Sequence, residues 1–324
     1  MQYRELGTSG IKVSEISLGC WTLGGISWVD GRPNGWANVD EAEVARAVDL
    51  ALEKGVNHFD NADVYGNGRA ERLLAQVLGE RSKNIIIASK IGWYPGTAAH
   101  AYEPAHIRHQ CEQSLINLKR DVIDLYYFHH GDFGPNDRYL ADAVVVMNKL
   151  KAEGKIRAIG LSSYSNADFE RLVPKIQPQV LQSWANSADI QFIREDSSVQ
   201  KLLRERKMSF VAFSPLAQGV LLGKYRPGSN VRSQFEPGDQ RRESGNFSEE
   251  HLAEMAPKMD RLKTKFGDSI EALSRAALQY PLSFPNVACV IPGFRNQNQV
   301  RINLAASDNP LTQDEREFIT TTFA

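Results

Sequence analysis

Four residues in the first half of the chain have the types needed to act together on a carbonyl oxygen. Asp60 and Tyr65 lie in FDNADVYGNG, Lys90 closes IIIASK, and His129 closes VIDLYYFH. Carbonyl reduction needs a hydride on carbon and a proton on oxygen. A free tyrosine, with a pKa of about 10, is too weak an acid to supply that proton efficiently near neutrality. A neighbouring ammonium favours the phenolate and lowers that pKa. Lys90 is the candidate ammonium, Asp60 would hold it by an ion pair, and His129 would donate a hydrogen bond to the developing alkoxide. Taken singly, Tyr65 reads as a packing residue, Lys90 as a solvated strand end and Asp60 as a turn cap. His129 beside His130 invites a metal reading, but adjacent strand residues point to opposite faces and cannot easily share one ion. His106 and His109, at helical spacing with no further ligand nearby, read as surface residues.

The elements that must position these residues alternate along the chain. Strand-like runs are predicted at 13–19, 58–62, 84–90, 122–129, 156–162, 179–186, 208–217 and 286–293. Helical patterns follow near 40–54, from Arg69, from Pro104, and near 138–153, 166–174, 197–206 and 296–305, with one more after a long loop beyond residue 217. Val44, Val48 and Leu52 recur at i, i+4 and i+8, and Asp40 suits the N-cap before them. Continuous apolar runs imply strands covered on both faces of a parallel sheet. Eight strand–helix units in one domain, 1–324, predict an α/β fold of the (β/α)8 TIM-barrel type with an N-terminal β-hairpin. The competing open doubly wound sheet usually carries G-x-G-x-x-G after its first strand, whereas this chain has GCWTLGG there. Three long loops, 26–40, 92–103 and 219–247, would sit at the C-terminal face, where barrels build their active sites.

Composition narrows the class. The 324 residues are 42% hydrophobic and 24% charged, which supports a sizeable core. A formal net charge of −1 gives no electrostatic footprint for nucleic acid or an anionic membrane. No stretch reaches the ~18 apolar residues of a transmembrane helix, and the N-terminus lacks a signal-peptide core. Cys20, Cys111 and Cys289 are scattered and odd in number, as in a protein of the reducing cytoplasm.

The order and flanks of the four residues resemble the FDTADxYG, TK and DLYxxH patterns of the aldo-keto reductase superfamily. The resemblance runs from YRELGTSGIKVSEISLG to VIPGFRNQNQVRINLAA. It implies Asp60, Tyr65, Lys90 and His129 as the catalytic set and a nicotinamide cofactor as hydride donor. It further implies that Ser162, Ser163 and Gln182 bond the carboxamide and that Phe213 stacks on the nicotinamide. Ser163 stands where the family often has asparagine and reaches less far. SPLAQGVLLGK resembles the pyrophosphate-binding loop, with Ser214, Leu216, Gln218 and Gly219 offering backbone amides and small polar groups. Lys224, Arg226, Arg232, Arg241 and Arg242 of the following loop would close over the cofactor, with Lys224 and Arg232 as the expected contacts. At the adenine end the resemblance implies Gly293, Arg295, Gln299 and Asn303. Arg295 near a helix N-terminus suits a 2′-phosphate, favouring NADPH over NADH, although some relatives carry lysine and arginine where this chain has Gly293 and Gln299. Trp21 is expected against both cofactor and substrate, and Trp93 and Tyr94 in the substrate pocket with Trp28 and Trp36 nearby.

The expected activity is reduction of a small-molecule aldehyde or ketone, with no nucleic-acid or membrane partner. A cofactor-binding sensor, as in the related potassium-channel β subunits, is the alternative; the intact tetrad and the lack of an arm before the first hairpin favour the enzyme. A sugar or polyol dehydrogenase working in the oxidative direction would use the same residues.

Overall fold

The computed structural model describes residues 1–29 and 31–324. A short antiparallel hairpin, β1 (Tyr3–Glu5) with β2 (Lys12–Ser14), precedes the first barrel strand, β3 (Leu18–Gly19). A second small antiparallel pair, β4 (Trp28–Val29) and β5 (Arg32–Pro33), lies in the loop that follows. The chain then alternates: α1 (Glu41–Glu53), β6 (His58–Asp60), α2 (Arg69–Leu78), β7 (Ile86–Ile91), α3 (Pro104–Leu118), β8 (Ile123–Phe128), α4 (Leu140–Ala152), β9 (Ile156–Ser162), α5 (Asn166–Ile176), β10 (Val180–Trp184), α6 (Ser198–Arg206) and β11 (Ser209–Phe213). It continues through α7 (Glu249–Phe266), α8 (Ile270–Leu282), β12 (Val287–Ile291), α9 (Gln297–Leu304) and α10 (Gln313–Phe323).

The predicted first strand, 13–19, is divided between β2 and β3. Two helices, not one, follow β11, and α10 lies beyond the last predicted element.

Eight parallel strands pair in chain order from β3 to β12. The sheet closes through Ser17 N donating to Val290 O and Gly19 N donating to Pro292 O, each at 3.0 Å. Closure removes the exposed edges of an open sheet and makes a (β/α)8 barrel. The β1–β2 hairpin covers the N-terminal end of the strands, where Gly7 N donates to Ser209 Oγ at 2.8 Å.

Side chains alternate along each strand between two cores. Ala88, Leu125, Tyr127, Ala158, Val180, Val211 and Cys289 pack inside the barrel with Leu6, Ile11 and Val13 of the hairpin. Phe59, Ile87, Tyr126, Ile159, Leu181 and Phe210 face outward to the helices. Gly160 is required inside: a Cβ there would land in the Tyr127 ring, which fills that space. Helix starts follow local chemistry. Asp40 Oδ1 accepts from the amides of Ala42 and Glu43 at 2.9 and 3.0 Å, and Pro104 opens α3. Among the described residues, no helix is long and apolar enough to cross a membrane.

Candidate active site

The interior positions of the strands turn from apolar to polar at the C-terminal end. Two residues on from Ala88 is Lys90, from Tyr127 is His129, from Gly160 is Ser162, and from Val180 is Gln182. The same alternation that builds the core therefore aims these side chains at one spot. A cavity of about 700 Å³ opens above them.

Lys90 is fully buried and its ammonium has three protein acceptors. It forms an ion pair with Asp60 and donates to Asn61 O at 2.7 Å and to Tyr65 Oη at 3.3 Å. Asp60 is satisfied on its other oxygen by Gln182 Nε2 at 2.8 Å. Tyr65 is held by the turn that starts α2, its carbonyl accepting from Ala70 N at 3.1 Å. Its ring lies 5.9 Å from that of His129 and 6.3 Å from that of Trp21.

Burial, followed by the Asp60 charge, pushes the Tyr65 hydroxyl well above its ordinary value. The expected lowering by Lys90 is not met: burial is the larger effect, and the Asp60 charge adds to it. Tyr65 therefore carries its proton at neutral pH. Burial, then Lys90, then His130 push the His129 imidazole well below its ordinary range, so it is neutral, and its Nδ1 has no partner among the described residues. A neutral imidazole carries one N–H donor.

The cavity brings together most of the residues singled out in the sequence. Trp21, Asp60, Tyr65, Trp93, His129, Gln182, Phe213, Ser214, Leu216, Gln218, Gly219, Lys224, Gly293, Arg295, Gln299 and Asn303 all line it. Others lie elsewhere. Arg232 is turned away, donating to Ser244 O at 3.0 Å. Tyr94 is 45% exposed and outside the lining, and so is Trp28 at 58%. Ser163 is committed to Asp168 Oδ2 at 2.9 Å, whereas the buried Ser162 Oγ has no partner among the described residues. In the 214–219 turn the amide of Gly219 is already given to Leu216 O at 2.8 Å. Ser214, Ala217 and Gln218 there adopt left-handed backbone, which costs of order 1–3 kcal/mol per residue and is concentrated at functional sites.

Arg241, and not Arg232, lines the cavity. It stacks 4.4 Å above the Trp36 ring and is paired with Asp239 at 2.7 Å. Asp239 also accepts from Ala37 N at 2.9 Å, which ties the loop after β11 to the loop after β3. Arg295 bonds Ala37 O at 2.6 Å and lies 5.8 Å from the same indole. Burial, then Arg241 and Arg295, push the Lys224 ammonium down. Among the described residues neither Lys224 nor Arg295 has an acidic partner. Such crowding of cations suits an anionic ligand. The aromatic Tyr164 and Tyr225, also in the lining, were not singled out from sequence.

A closed parallel barrel carrying this polar group at its C-terminal mouth has the architecture of an enzyme, since barrels build their active sites there. Residues 15–321 match the model of the Aldo/keto reductase family, and the chain belongs to that family, whose members are oxidoreductases using nicotinamide cofactors. It is 30% identical to the uncharacterized oxidoreductase YqkF of Bacillus subtilis, over 97% of this chain and 94% of that protein. It is also 30% identical to a probable voltage-gated potassium channel subunit beta of Arabidopsis thaliana, over 95% of this chain and 92% of that one. Among solved structures it superposes on the holo form of aldo-keto reductase AKR11C1 from Bacillus halodurans with a TM-score of 0.78, at 27% identity, covering 100% of this chain and 97% of that one.

Proposed function

We propose that this protein reduces an aldehyde or ketone to an alcohol with NADPH, and that Tyr65 delivers the proton. The observation that carries this reading is the continuous link from Gln182 through Asp60 and Lys90 to the Tyr65 hydroxyl at the base of the cavity. When bound, the nicotinamide supplies a hydride. Ser162 and Gln182 would hold its carboxamide, Phe213 would face its ring, and Lys224, Arg241 and Arg295 would hold the phosphates. The unpartnered Ser162 Oγ and the crowded cations support that fit.

The chain's own residues then account for the oxygen. Tyr65, protonated at rest, gives its proton to the oxygen as the carbon gains the hydride. The phenolate left behind is stabilised by Lys90, which already donates to that hydroxyl. His129 offers its N–H to the same oxygen, where negative charge develops. Tyr65 recovers its proton from water after the alcohol leaves. The preference for NADPH rests on Arg295, which has no ion-pair partner among the described residues, with the Asp239-paired Arg241 beside it as a further donor where Gly293 and Gln299 supply no charge.

The test is loss of reduced-nicotinamide absorbance with a panel of aldehydes, ketones and keto-sugars, with NADH alongside and Tyr65→Phe as the control. Turnover that survives in the control removes Tyr65 from its role. Similarity to the plant potassium channel subunit favours a second reading, a cofactor-holding sensor. Slow turnover with tightly retained cofactor would select it. The same residues also serve the oxidative direction on a sugar or polyol, so the alcohols of that panel are assayed with NADP+.

A further inference from the structure

Trp93 stands on the loop that leaves β7, 37% exposed, with its ring 6.2 Å from that of His129. Its neighbour Tyr94 faces solvent instead. The difference traces to His130. The His130 ring packs on the Trp93 indole at 4.7 Å. Its Nε2 donates to the carbonyl of Gly92, the residue before Trp93, at 2.8 Å. Its Nδ1 accepts from Asp132 N at 3.1 Å. One donating and one accepting nitrogen define the neutral Nε2–H tautomer. Burial, pushing the imidazole below its ordinary range, maintains that form.

The backbone of His130 is itself clamped. The hydroxyl of the buried Tyr102 donates to His130 O at 2.8 Å and accepts from His130 N at 3.1 Å. Gly92 leaves no slack, since a Cβ there would lie 2.6 Å from that hydroxyl and 3.1 Å from the His130 ring. Trp93 is thus fixed between His130 and Tyr164, whose ring is 6.1 Å away.

We propose that His130 is a positioning residue for substrate specificity: by fixing Trp93 it sets how wide a carbonyl compound can be beside Tyr65 and His129. This rests on the carbonyl-reductase reading above.

The experiment compares wild type with His130→Ala, His130→Gln and Trp93→Ala on a narrow straight-chain aldehyde and a wide bicyclic one. Glutamine keeps a donor the same number of bonds from Cβ as Nε2. Both alanine variants should shift the KM ratio toward the wide aldehyde by about tenfold, the size expected for one pocket contact. The double variant should add nothing beyond either one, His130→Gln should restore the wild-type ratio, and cofactor affinity should stay constant throughout. An unchanged ratio in His130→Ala, even with a lowered melting temperature, overturns the proposal. Hydrogen exchange across residues 92–103 supplies a readout independent of turnover. Faster exchange in His130→Ala alone supports the positioning role, and unchanged exchange refutes it. If wild type reduces no member of the aldehyde, ketone and keto-sugar panel while exchange behaves as expected, the carbonyl reading and the width proposal that rests on it both fail, and only the loop geometry stands.

Discussion

Gln182 and Asp60 are 122 residues apart in the chain, yet Gln182 Nε2 donates to Asp60 Oδ2 at 2.8 Å. With Lys90 on the other oxygen, the buried carboxylate is satisfied from both sides. The residue proposed to hold the nicotinamide amide is therefore hydrogen-bonded to the ion pair that supports Tyr65. Gln182→Leu should leave one Asp60 oxygen buried and unpaired, costing about 1–3 kcal/mol of stability. It should weaken cofactor binding as well. Urea unfolding and cofactor titration measure the two losses separately.

Tyr65→Phe removes the hydroxyl that Lys90 touches and little else. Turnover should fall by about 10²–10⁴, the range associated with a positioned acid. Cofactor affinity, read by quenching of intrinsic fluorescence, should hold. Loss of both together would mean that the hydroxyl also supports cofactor binding and does not merely carry a proton.

Arg295→Ala should weaken NADPH by about tenfold to a hundredfold more than NADH, as expected for losing a charged hydrogen bond worth about 1.5–3 kcal/mol. The gap between the cofactors should narrow with added salt, because the interaction is ionic. Equal loss for both would assign Arg295 to holding Ala37 instead.

The four residues were legible because Asp60, Lys90 and His129 lie at or next to strand C-terminal ends and Tyr65 in the turn after β6, each inside a recognisable segment, and β9 runs over the predicted residues, Ile156–Ser162. Other features depend on distant partners. Arg232 and Arg241 share one loop, and nothing local tells them apart. Asp239 and the Trp36 face decide that Arg241 turns inward. Trp93 and Tyr94 are likewise adjacent, and His130 selects between them. Helix α10 carries its signal locally: Thr312 and Glu315 form a capping box. The direction of the Tyr65 shift could not be read from residue types, because it depends first on how deeply the hydroxyl is buried and then on the nearby Asp60 charge.

The barrel interior also predicts an acid limb. Burial pushes the His58 imidazole from 6.5 down to about 4, while its Nδ1 is hydrogen-bonded to Ser17 at 3.0 Å. The unfolded chain therefore takes up a proton at higher pH than the folded one. The contribution of His58 is complete above 6.5 and is lost as pH falls from there toward 4. Between about pH 7 and about pH 5 the loss from this group is about 2 kcal/mol. The buried acids Asp63 and Glu71, pushed upward mainly by burial, slope the opposite way, so the wild-type curve is a sum. The unfolding free energy of His58→Gln, measured by urea titration, should fall by that much less over this interval, and parallel curves would exclude His58 as a contributor.

The barrel is closed by its first and last strands, and this imposes an order in time. On the ribosome Asp60, Tyr65, Lys90 and His129 are all made before Gln182, and Val290 comes much later. Until Val290 and Pro292 emerge, Ser17 and Gly19 lack their pairing partners. At ordinary rates of synthesis that interval, counted from His129, is on the order of ten seconds or more. Any sheet formed before then would carry Asp60, Tyr65, Lys90 and His129 beside an open edge available to other chains. Only the segment from β12 onward turns that sheet into an enclosed vessel.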